Sequence, residues 1–319
     1  MHEHKRLFTI VIPVHNGSST LTKTLESLKD QTHQDLVSQI IIINDGSTDN
    51  SVDNIREFIK TSNYTVSVIK HKYPKGLAQS YNQAIIKSKS QMVIIMHQDI
   101  LITNKNSFGI LAKIFTDKDL FCAYPTILHP KRIWNQYNFW QKCLFSRYVN
   151  VIHSLPIQKF DCFNRQKLIN IGLFDTKHFR TAGEDIEMII QSKKHGFKSI
   201  KSGIKVIHIH NTQKNFSFRN LLKKEMQLAE TKGVLLRLHG PFIPIYKSFF
   251  REVILLGLVF YYTRPLSVLL FILYIFFYNW RLFLIKDKHR IFLPLVNIAL
   301  FMSNIYSTIK SFAAGKQTI

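Results

Sequence analysis

The sequence is poor in acidic residues and in cysteine: its 319 residues include 20 Asp and Glu and three Cys. Cys122, Cys143 and Cys162 are odd in number and widely spaced, and no Cys-x-x-Cys pair occurs. This pattern argues against a disulfide framework or a zinc knuckle and fits a reducing compartment. The first apolar run ends at Pro13 and is too short for a signal peptide, so we expect a cytoplasmic protein.

The shortage of acids leaves a large positive charge. Lys and Arg number 43, which gives a formal net charge of +23 and implies an anionic partner. Residues 201–319 carry 17 Lys and Arg against 4 Asp and Glu, and they also hold the long apolar runs. Basic and apolar character together favour an anionic membrane surface. We expect no nucleic acid partner, because no basic–aromatic recognition motif accompanies the charge.

The hydropathy pattern predicts an α/β fold. Over the first 125 residues, apolar runs rich in β-branched residues alternate with segments whose apolar residues have helical spacing. This alternation indicates a mixed, mostly parallel sheet sandwiched by helices. The predicted strands are Phe8–Val14, Ile40–Ile43, 66–69, Met92–Met96, Lys159–Phe163 and Lys205–Ile209. The predicted helices include Ala78–Ile86, Arg165–Gly172 and one that opens at Gly183. No internal repeat is visible.

Polar segments follow three of these strands. They are 13–17 (Pro-Val-His-Asn-Gly), 44–49 (Asn-Asp-Gly-Ser-Thr-Asp) and 97–99 (His-Gln-Asp). Each alone has the composition of a surface turn. Ligands of parallel sheets bind beyond the carboxyl ends of the strands, so the three segments together predict a ligand site.

Carboxylates and histidines in the later segments suggest chemistry. Asp99 follows an apolar strand, where a carboxylate can hold a divalent cation. Glu184 and Asp185 are adjacent at a helix start, where one could bind an acceptor hydroxyl and the other remove its proton. Ordinary helix-terminal acids are the alternative. His208 and His210 alternate on a predicted strand and therefore share a face, which makes them candidate metal ligands or simple structural histidines.

Five motifs over the first 212 residues resemble the inverting family 2 glycosyltransferases with the GT-A fold. The motifs are Phe8–Gly17, Ile40–Asp49, Lys75–Ala78 with Asn82, Met92–Asp99, and Gly172–Asp175 followed by Gly183–Asp185. Ile40–Asp49 is a highly specific match, and Met92–Asp99 occupies the place of the Asp-x-Asp motif.

The resemblance implies roles for individual residues. Asp185 would be the general base, and Glu184 would help to hold the acceptor. Asp99 and His208 would bind Mn²⁺ or Mg²⁺ together with the donor pyrophosphate, with His97 and His210 as further candidate ligands. The residues expected to bind the nucleotide-sugar donor are Pro13, His15, Asn16, Asp45, Gly76, Asn82 and Gln98.

The sequence departs from the family pattern at the first acid of the Asp-x-Asp motif, which is His97 here. The processive-synthase signature Gln-x-x-Arg-Trp is also absent, which favours addition of a single sugar or a few. The expected mechanism is metal-dependent transfer with inversion.

The C-terminal third is predicted to be a helical, basic and apolar membrane-associating region, residues 213–319, after a catalytic domain at 1–212. Residues 216–239 form a basic amphipathic helix, and Val253–Trp280 and Ile291–Ile309 are apolar.

Two spanning helices would place the basic link Arg281–Arg290 outside the cell, against the positive-inside rule. A kink at Arg264-Pro265 instead favours monotopic association with the cytoplasmic face. True spanning segments, a soluble helical domain and an oligomer interface remain alternatives.

These observations predict a glycosyltransferase that moves one sugar from a nucleotide-sugar donor to a lipid-linked or surface-polysaccharide acceptor. Two alternatives stay open. One is a soluble transferase acting on protein or small-molecule acceptors. The other is a catalytically silent nucleotide-sugar or glycan-binding protein.

Overall fold

The computed structural model describes residues 6–146, 148–152, 155–180, 182–210, 216–241, 250–284 and 287–319. It contains two compact units, each built from discontinuous parts of the chain. The sheet unit comprises Met1–Ile133, Asn150–Thr176 and Glu184–Gln213. The helical unit comprises Trp134–Val149, Lys177–Gly183 and Lys214–Ile319. The predicted boundary between residues 212 and 213 lies outside the described residues and stays a prediction.

The sheet unit is organised around an eight-stranded sheet with the order β3-β2-β1-β4-β7-β6-β8-β5. Its strands are β1 (Phe8–Val14), β2 (Val37–Asp45), β3 (Val66–His71), β4 (Met92–Ile95), β5 (Ile100–Ile102), β6 (Leu120–Leu128), β7 (Asp161–Asn164) and β8 (Lys198–His208). β1 pairs in parallel with β2 and β4, β2 with β3, and β6 with β8. β7 and β5 pair antiparallel with their neighbours. The predicted mixed, mostly parallel sheet is confirmed.

Helices connect these strands: α1 (Ser18–Lys29), α2 (Ser51–Thr61), α3 (Leu77–Lys87), α4 (Ser107–Ile114), α5 (Lys131–Asn135), α7 (Arg165–Asn170) and α8 (Glu184–Lys194). Alternate β1 side chains point to opposite faces of the sheet. Ile10 and Ile12 pack in one core cluster with Leu25 of α1. Val11 packs in the other with Tyr81 of α3. Each buried side chain contributes about 1.5–3 kcal/mol, so both faces hold the sheet in place.

Some predicted boundaries were wrong. The strand expected at Lys159–Phe163 begins at Asp161, because Gln158 and Phe160 have positive φ angles of 61° and 136° and cannot continue an extended strand. The strand expected at Lys205–Ile209 is the end of the longer β8. β5 and β6 were not predicted.

The helical unit contains α6 (Phe139–Phe145), α9 (Phe218–His239), α10 (Phe250–Val259), α11 (Arg264–Phe277) and α12 (Leu293–Ala314), with 3₁₀ turns at Trp280–Leu284 and Lys288–Phe292. α9 and α12 pack closely at Gly233, where an added Cβ would lie 2.2 Å from the carbonyl oxygen of Thr308. Lys232 and Glu252 form a buried ion pair. The predicted helix at 216–239 corresponds to α9.

α10 and α11 form a hairpin that turns at residues 260–263. Arg264 donates hydrogen bonds to the carbonyl oxygens of Leu258 and Val259, at 3.1 and 3.4 Å, and Pro265 starts α11. Within the described residues, the stretch Lys288–Ala314 is the one helix long and apolar enough to cross a membrane, and half of its most apolar window is buried in the protein. A buried core helix has the same properties, so this stretch is weak evidence of a span.

Candidate active site

The carboxyl ends of β1, β2 and β4 bring most of the predicted donor residues together. The Gln98 side-chain oxygen accepts from the His15 backbone N–H at 2.9 Å, and its amide nitrogen donates to the His15 carbonyl at 3.1 Å. The His15 ring lies 2.8 Å from the carbonyl oxygen of Asp45. The Asn16 side-chain oxygen accepts from the Thr48 N–H at 2.8 Å. Pro13 is buried inside β1 beside Ile43, where it completes the strand end.

Asp45 organises the next turn. Its buried carboxylate accepts hydrogen bonds from the backbone N–H groups of Lys75 and Gly76, at 2.8 and 3.0 Å. The same carboxylate lies 2.6 Å from the ring of His71. Gly76 has a φ of 95°, which a residue with a side chain rarely adopts. Asp45 therefore holds the glycine turn against the end of β2.

Asn82, another predicted donor residue, is paired with the protein backbone. Its amide nitrogen donates to the Phe174 carbonyl at 2.7 Å, and its oxygen accepts from the Phe174 N–H at 3.0 Å. The pair ties α3 to the turn after α7. These two hydrogen bonds give Asn82 a structural role that does not depend on whether it binds the donor.

Asp99 and three histidines form a cluster. Asp99 Oδ2 lies 3.1 Å from Nε2 of His208, and the other Asp99 oxygen is buried without a partner among the described residues. The candidate ligand atoms of His129, His208 and His210 all lie within 4.8 Å of one another. β8 ends at His208, and His210 follows with a φ of 48°, so the two do not alternate along one strand as predicted. Their rings nevertheless approach to 3.6 Å between centroids.

The sequence prediction missed His129. It directly follows β6, which pairs in parallel with β8 and places Leu128 beside Ile207. Parallel strands end at the same edge, so His129 reaches the histidines that follow β8. The apolar run Leu120–Leu128 before a histidine was the signal that could have indicated it.

The cluster fits a divalent cation. Three imidazoles lie together, the Asp99 carboxylate contacts one of them at His208, and the buried, unpartnered Asp99 oxygen is available to a ligand. Mg²⁺ prefers oxygen ligands, whereas imidazole suits transition metals, so the mixed set suits a transition-metal cation better than Mg²⁺. His97 lies further out, with its Nδ1 4.0 Å from Asp99 Oδ1.

The acid pair lies at the start of α8. Glu184 is buried, and burial together with the Asp185 charge raises its pKa to about 8. Burial also raises the pKa of Asp185. The Ile186 N–H donates a hydrogen bond to Asp185 Oδ1 at 2.8 Å, which lowers the pKa but does not cancel the effect of burial. Raised carboxyl pKa values are typical of groups that exchange protons near neutral pH.

Lys159, which was expected only as a strand residue, lies in the same site. Its ammonium nitrogen is 2.6 Å from Nδ1 of His97. Burial lowers the pKa of Lys159, whereas the charges of Asp99, Asp185, Glu184 and Asp161 raise it. The structure thus brings Asp99, the histidines, the acid pair and a lysine together in the sheet unit.

Comparisons with known proteins agree with this geometry. The model of glycosyl transferase family 2 matches residues 9–176. The glycosyltransferase GlyG of Streptococcus pneumoniae serotype 4 is 30% identical over 113 residues, or 35% of this chain and 36% of that protein. The UDP-Glc:alpha-D-GlcNAc-diphosphoundecaprenol beta-1,3-glucosyltransferase WfaP of Escherichia coli is 32% identical over 114 residues, or 34% of this chain and 43% of that protein. These matches span less than half of each relative.

A solved structure resembles nearly the whole chain. The mannosyltransferase PcManGT from Pyrobaculum calidifontis, in complex with GDP-Man and Mn²⁺, superposes with a TM-score of 0.59 and 16% identity. The match covers 94% of this chain and 87% of that one. At 16% sequence identity, this structural similarity establishes the fold alone. Since the family model matches more than half of the sequence, the chain belongs to glycosyl transferase family 2 and has the GT-A fold.

Proposed function

We propose that the protein transfers a single sugar, with inversion, from a nucleotide-sugar donor to a lipid-linked or surface-glycan acceptor. The observation that carries the proposal is the convergence, in one sheet unit, of the Asp99–histidine cluster and the Glu184–Asp185 pair, of which Glu184 is buried. A cation site near a carboxylate that can accept a proton suits transfer of a sugar from a nucleotide sugar.

Asp99, His208, His129 and His210 would hold Mn²⁺ or Mg²⁺, and the set favours Mn²⁺. When bound, the cation would act as a Lewis acid and stabilise the charge that develops on the departing diphosphate. This effect would lower the barrier by roughly several kcal/mol. The chain itself orients the donor through the segments at the ends of β1, β2 and β4. In that arrangement His15, Asn16 and Gln98 line the nucleoside side, and Asp45 holds the Gly76 turn against it.

Asp185 would remove the proton of the acceptor hydroxyl as the oxygen attacks the anomeric carbon. Glu184, whose raised pKa keeps it largely protonated at neutral pH, would bind the same hydroxyl by a hydrogen bond. Attack from the face opposite to the leaving diphosphate inverts the configuration. A positioned base contributes roughly 10²–10⁴-fold to the rate.

The relatives support the choice of acceptor. WfaP is named for an alpha-D-GlcNAc-diphosphoundecaprenol acceptor. A Methanococcus voltae relative, 22% identical over 251 residues, is named for a dolichyl N-acetyl-alpha-D-glucosaminyl phosphate acceptor. The latter match covers 72% of this chain and 74% of that protein. Poly-beta-1,6-N-acetyl-D-glucosamine synthase of Staphylococcus epidermidis, 23% identical over 187 residues, is named for a polysaccharide.

The helical unit supports membrane association. In α10 only Ile254 is buried, and in α11 only Ser267 and Tyr274. The large apolar side chains exposed along the hairpin include Val253, Leu256, Val259, Phe260, Tyr261, Tyr262, Leu266, Leu269, Phe276 and Phe277. The 14 residues of α11 span about 21 Å, which suits insertion into one leaflet rather than a full crossing of about 30 Å. Exposed Lys288 and Arg290 would meet anionic head groups at the cytoplasmic face.

The proposed function is tested by a thermal-shift panel of UDP-, GDP- and dTDP-sugars with and without Mn²⁺. One donor class should raise the unfolding midpoint by mass action, and should do so more strongly with Mn²⁺. The protein should also release nucleotide from that donor slowly in a Mn²⁺-dependent reaction. Binding without release would favour the silent binding protein, and no binding by any donor would refute the proposal.

A further inference from the structure

Lys159 is a buried cation whose hydrogen-bonding capacity is mostly unused. An ammonium group has three N–H donors, and His97 Nδ1 accepts one of them at 2.6 Å. None of the other described residues accepts a hydrogen bond from this group, and none offers a carboxylate oxygen within 4.0 Å of it. A lysine buried as a counter-ion would be expected to pair directly with an acid. Two donors of Lys159 instead remain for a ligand.

The side chains around Lys159 also lack partners. Ten buried polar side-chain atoms of the described residues have none, and five of them belong to this neighbourhood. They are the Tyr81 hydroxyl, His97 Nε2, Asp99 Oδ1, Gln158 Nε2 and Asp161 Oδ1. Buried polar atoms are rarely left unpaired, so their concentration here indicates a site that a polar ligand completes.

The backbone that carries Lys159 is strained. Gln158 and Phe160, on either side of it, have φ angles of 61° and 136°. Such conformations cost of order 1–3 kcal/mol each and persist where the surrounding structure enforces them. Phe160 is buried in the core near Phe108, with ring centroids 6.4 Å apart, and the Gln158 N–H donates to Asp161 Oδ2 at 2.6 Å. These contacts hold Lys159 in place beside His97.

His97 connects Lys159 to the cation cluster. Because the ammonium group donates to Nδ1, the neutral imidazole carries its proton on Nε2 and cannot use either nitrogen as a metal ligand in this arrangement. His97 stands where the family pattern has an acid. The first position of the Asp-x-Asp motif is therefore occupied by a histidine that donates through Nε2–H and contacts Lys159, instead of by a second carboxylate.

We propose that Lys159 binds the diphosphate of the nucleotide sugar, with its two free N–H donors on phosphate oxygens and with His97 Nε2–H as a neighbouring donor. The proposal rests on the proposed function, since it requires a nucleotide diphosphate next to Asp99. The positive charge of Lys159 would offset negative charge that develops on the departing diphosphate. Lys159 is then a substrate-contacting residue.

The test compares nucleotide diphosphates with monophosphates. Binding of UDP, UMP, GDP, GMP, dTDP and dTMP is measured by titration calorimetry with Mn²⁺ for the unmodified protein and for Lys159→Met and Lys159→Arg. Two lost charge-assisted hydrogen bonds should weaken diphosphate binding by Lys159→Met at least about tenfold. Monophosphate binding should change less than about twofold, and Lys159→Arg should recover part of the loss. Lys198→Met is the matched control, because Lys198 is exposed at the opposite end of β8 and pairs with Asp117.

The possible results separate the two proposals. If the unmodified protein binds none of the six nucleotides, the proposed function fails. If it binds a diphosphate and Lys159→Met binds it equally well, or loses monophosphate to the same extent, the Lys159 proposal is overturned. If Lys159→Met does not fold, Lys159→Gln, which keeps a donor for His97 but no charge, decides by the same comparison.

Discussion

Asp99 Oδ2 lies 3.1 Å from Nε2 of His208, although 109 residues separate them in sequence. The approach follows from strand pairing: β5 starts directly after Asp99 and runs antiparallel to β8, with Ile100 opposite His208. The Ile209 N–H also donates to the Asp99 carbonyl at 3.0 Å. Backbone pairing therefore sets the distance between these two candidate ligands.

His129 should contribute to cation binding even though no motif indicates it. We expect His129→Ala to weaken Mn²⁺ binding by about tenfold or more, because the cluster loses one of its imidazoles. Electron paramagnetic resonance of free Mn²⁺ measures the affinity. His195→Ala is the control, since His195 is exposed near the start of β8. Equal affinity of the two variants would remove His129 from the site.

Asp45 should be important for stability as well as for donor binding. Asp45→Asn places an N–H₂ group against the backbone donor of either Lys75 or Gly76 and loses the charge opposite His71. We expect the free energy of unfolding to fall by about 2–4 kcal/mol in urea titrations. Asp53→Asn, which removes an exposed ion pair with Arg56, should change it by less than about 1 kcal/mol. A neutral effect of Asp45→Asn would contradict this role.

The acid pair predicts a pH profile. Burial raises the pKa of Asp185 above its ordinary value of 3.8, and burial with the Asp185 charge raises that of Glu184 to about 8. A general base acts only when it is ionised, so kcat/KM should rise with pH through the raised pKa of Asp185. Glu184 is still protonated at the pH where Asp185 ionises, so Glu184→Gln should leave the acidic limb close to its original pH. An acidic limb already at or below 3.8 in the unmodified enzyme would contradict the assignment.

The exposed hairpin predicts membrane binding. Leu256→Glu and Leu269→Glu place charges on the apolar surfaces of α10 and α11, and each should reduce co-flotation with vesicles of anionic phospholipid several-fold. Ile86→Glu is the control, because Ile86 is an exposed apolar residue of the sheet unit. If the unmodified protein does not float with vesicles, the hairpin would have to be explained by the alternative of an oligomer interface, which analytical ultracentrifugation tests.

Sequence reasoning was most successful where interactions are local. β1, β2 and β4 are continuous apolar runs, and the polar residues after them lie at one edge as expected. It failed where pairing is long-range. β6 was not recognised, so His129 was missed, and the short β5 gave no pattern that could be read. The sequence predicts a strand at Lys159 because nothing in its local sequence indicates the positive φ angles of Gln158 and Phe160.

The central claim is that Asp185 is the base of a sugar transfer that depends on the Asp99–histidine cluster. The most direct test is transfer of labelled sugar, from the donor that the binding panel identifies, into a lipid extract by the unmodified protein and by Asp185→Asn. The substitution should lower the rate by roughly 10²–10⁴-fold while nucleotide binding with Mn²⁺ stays within about twofold. Transfer by Asp185→Asn at the unmodified rate would contradict the account.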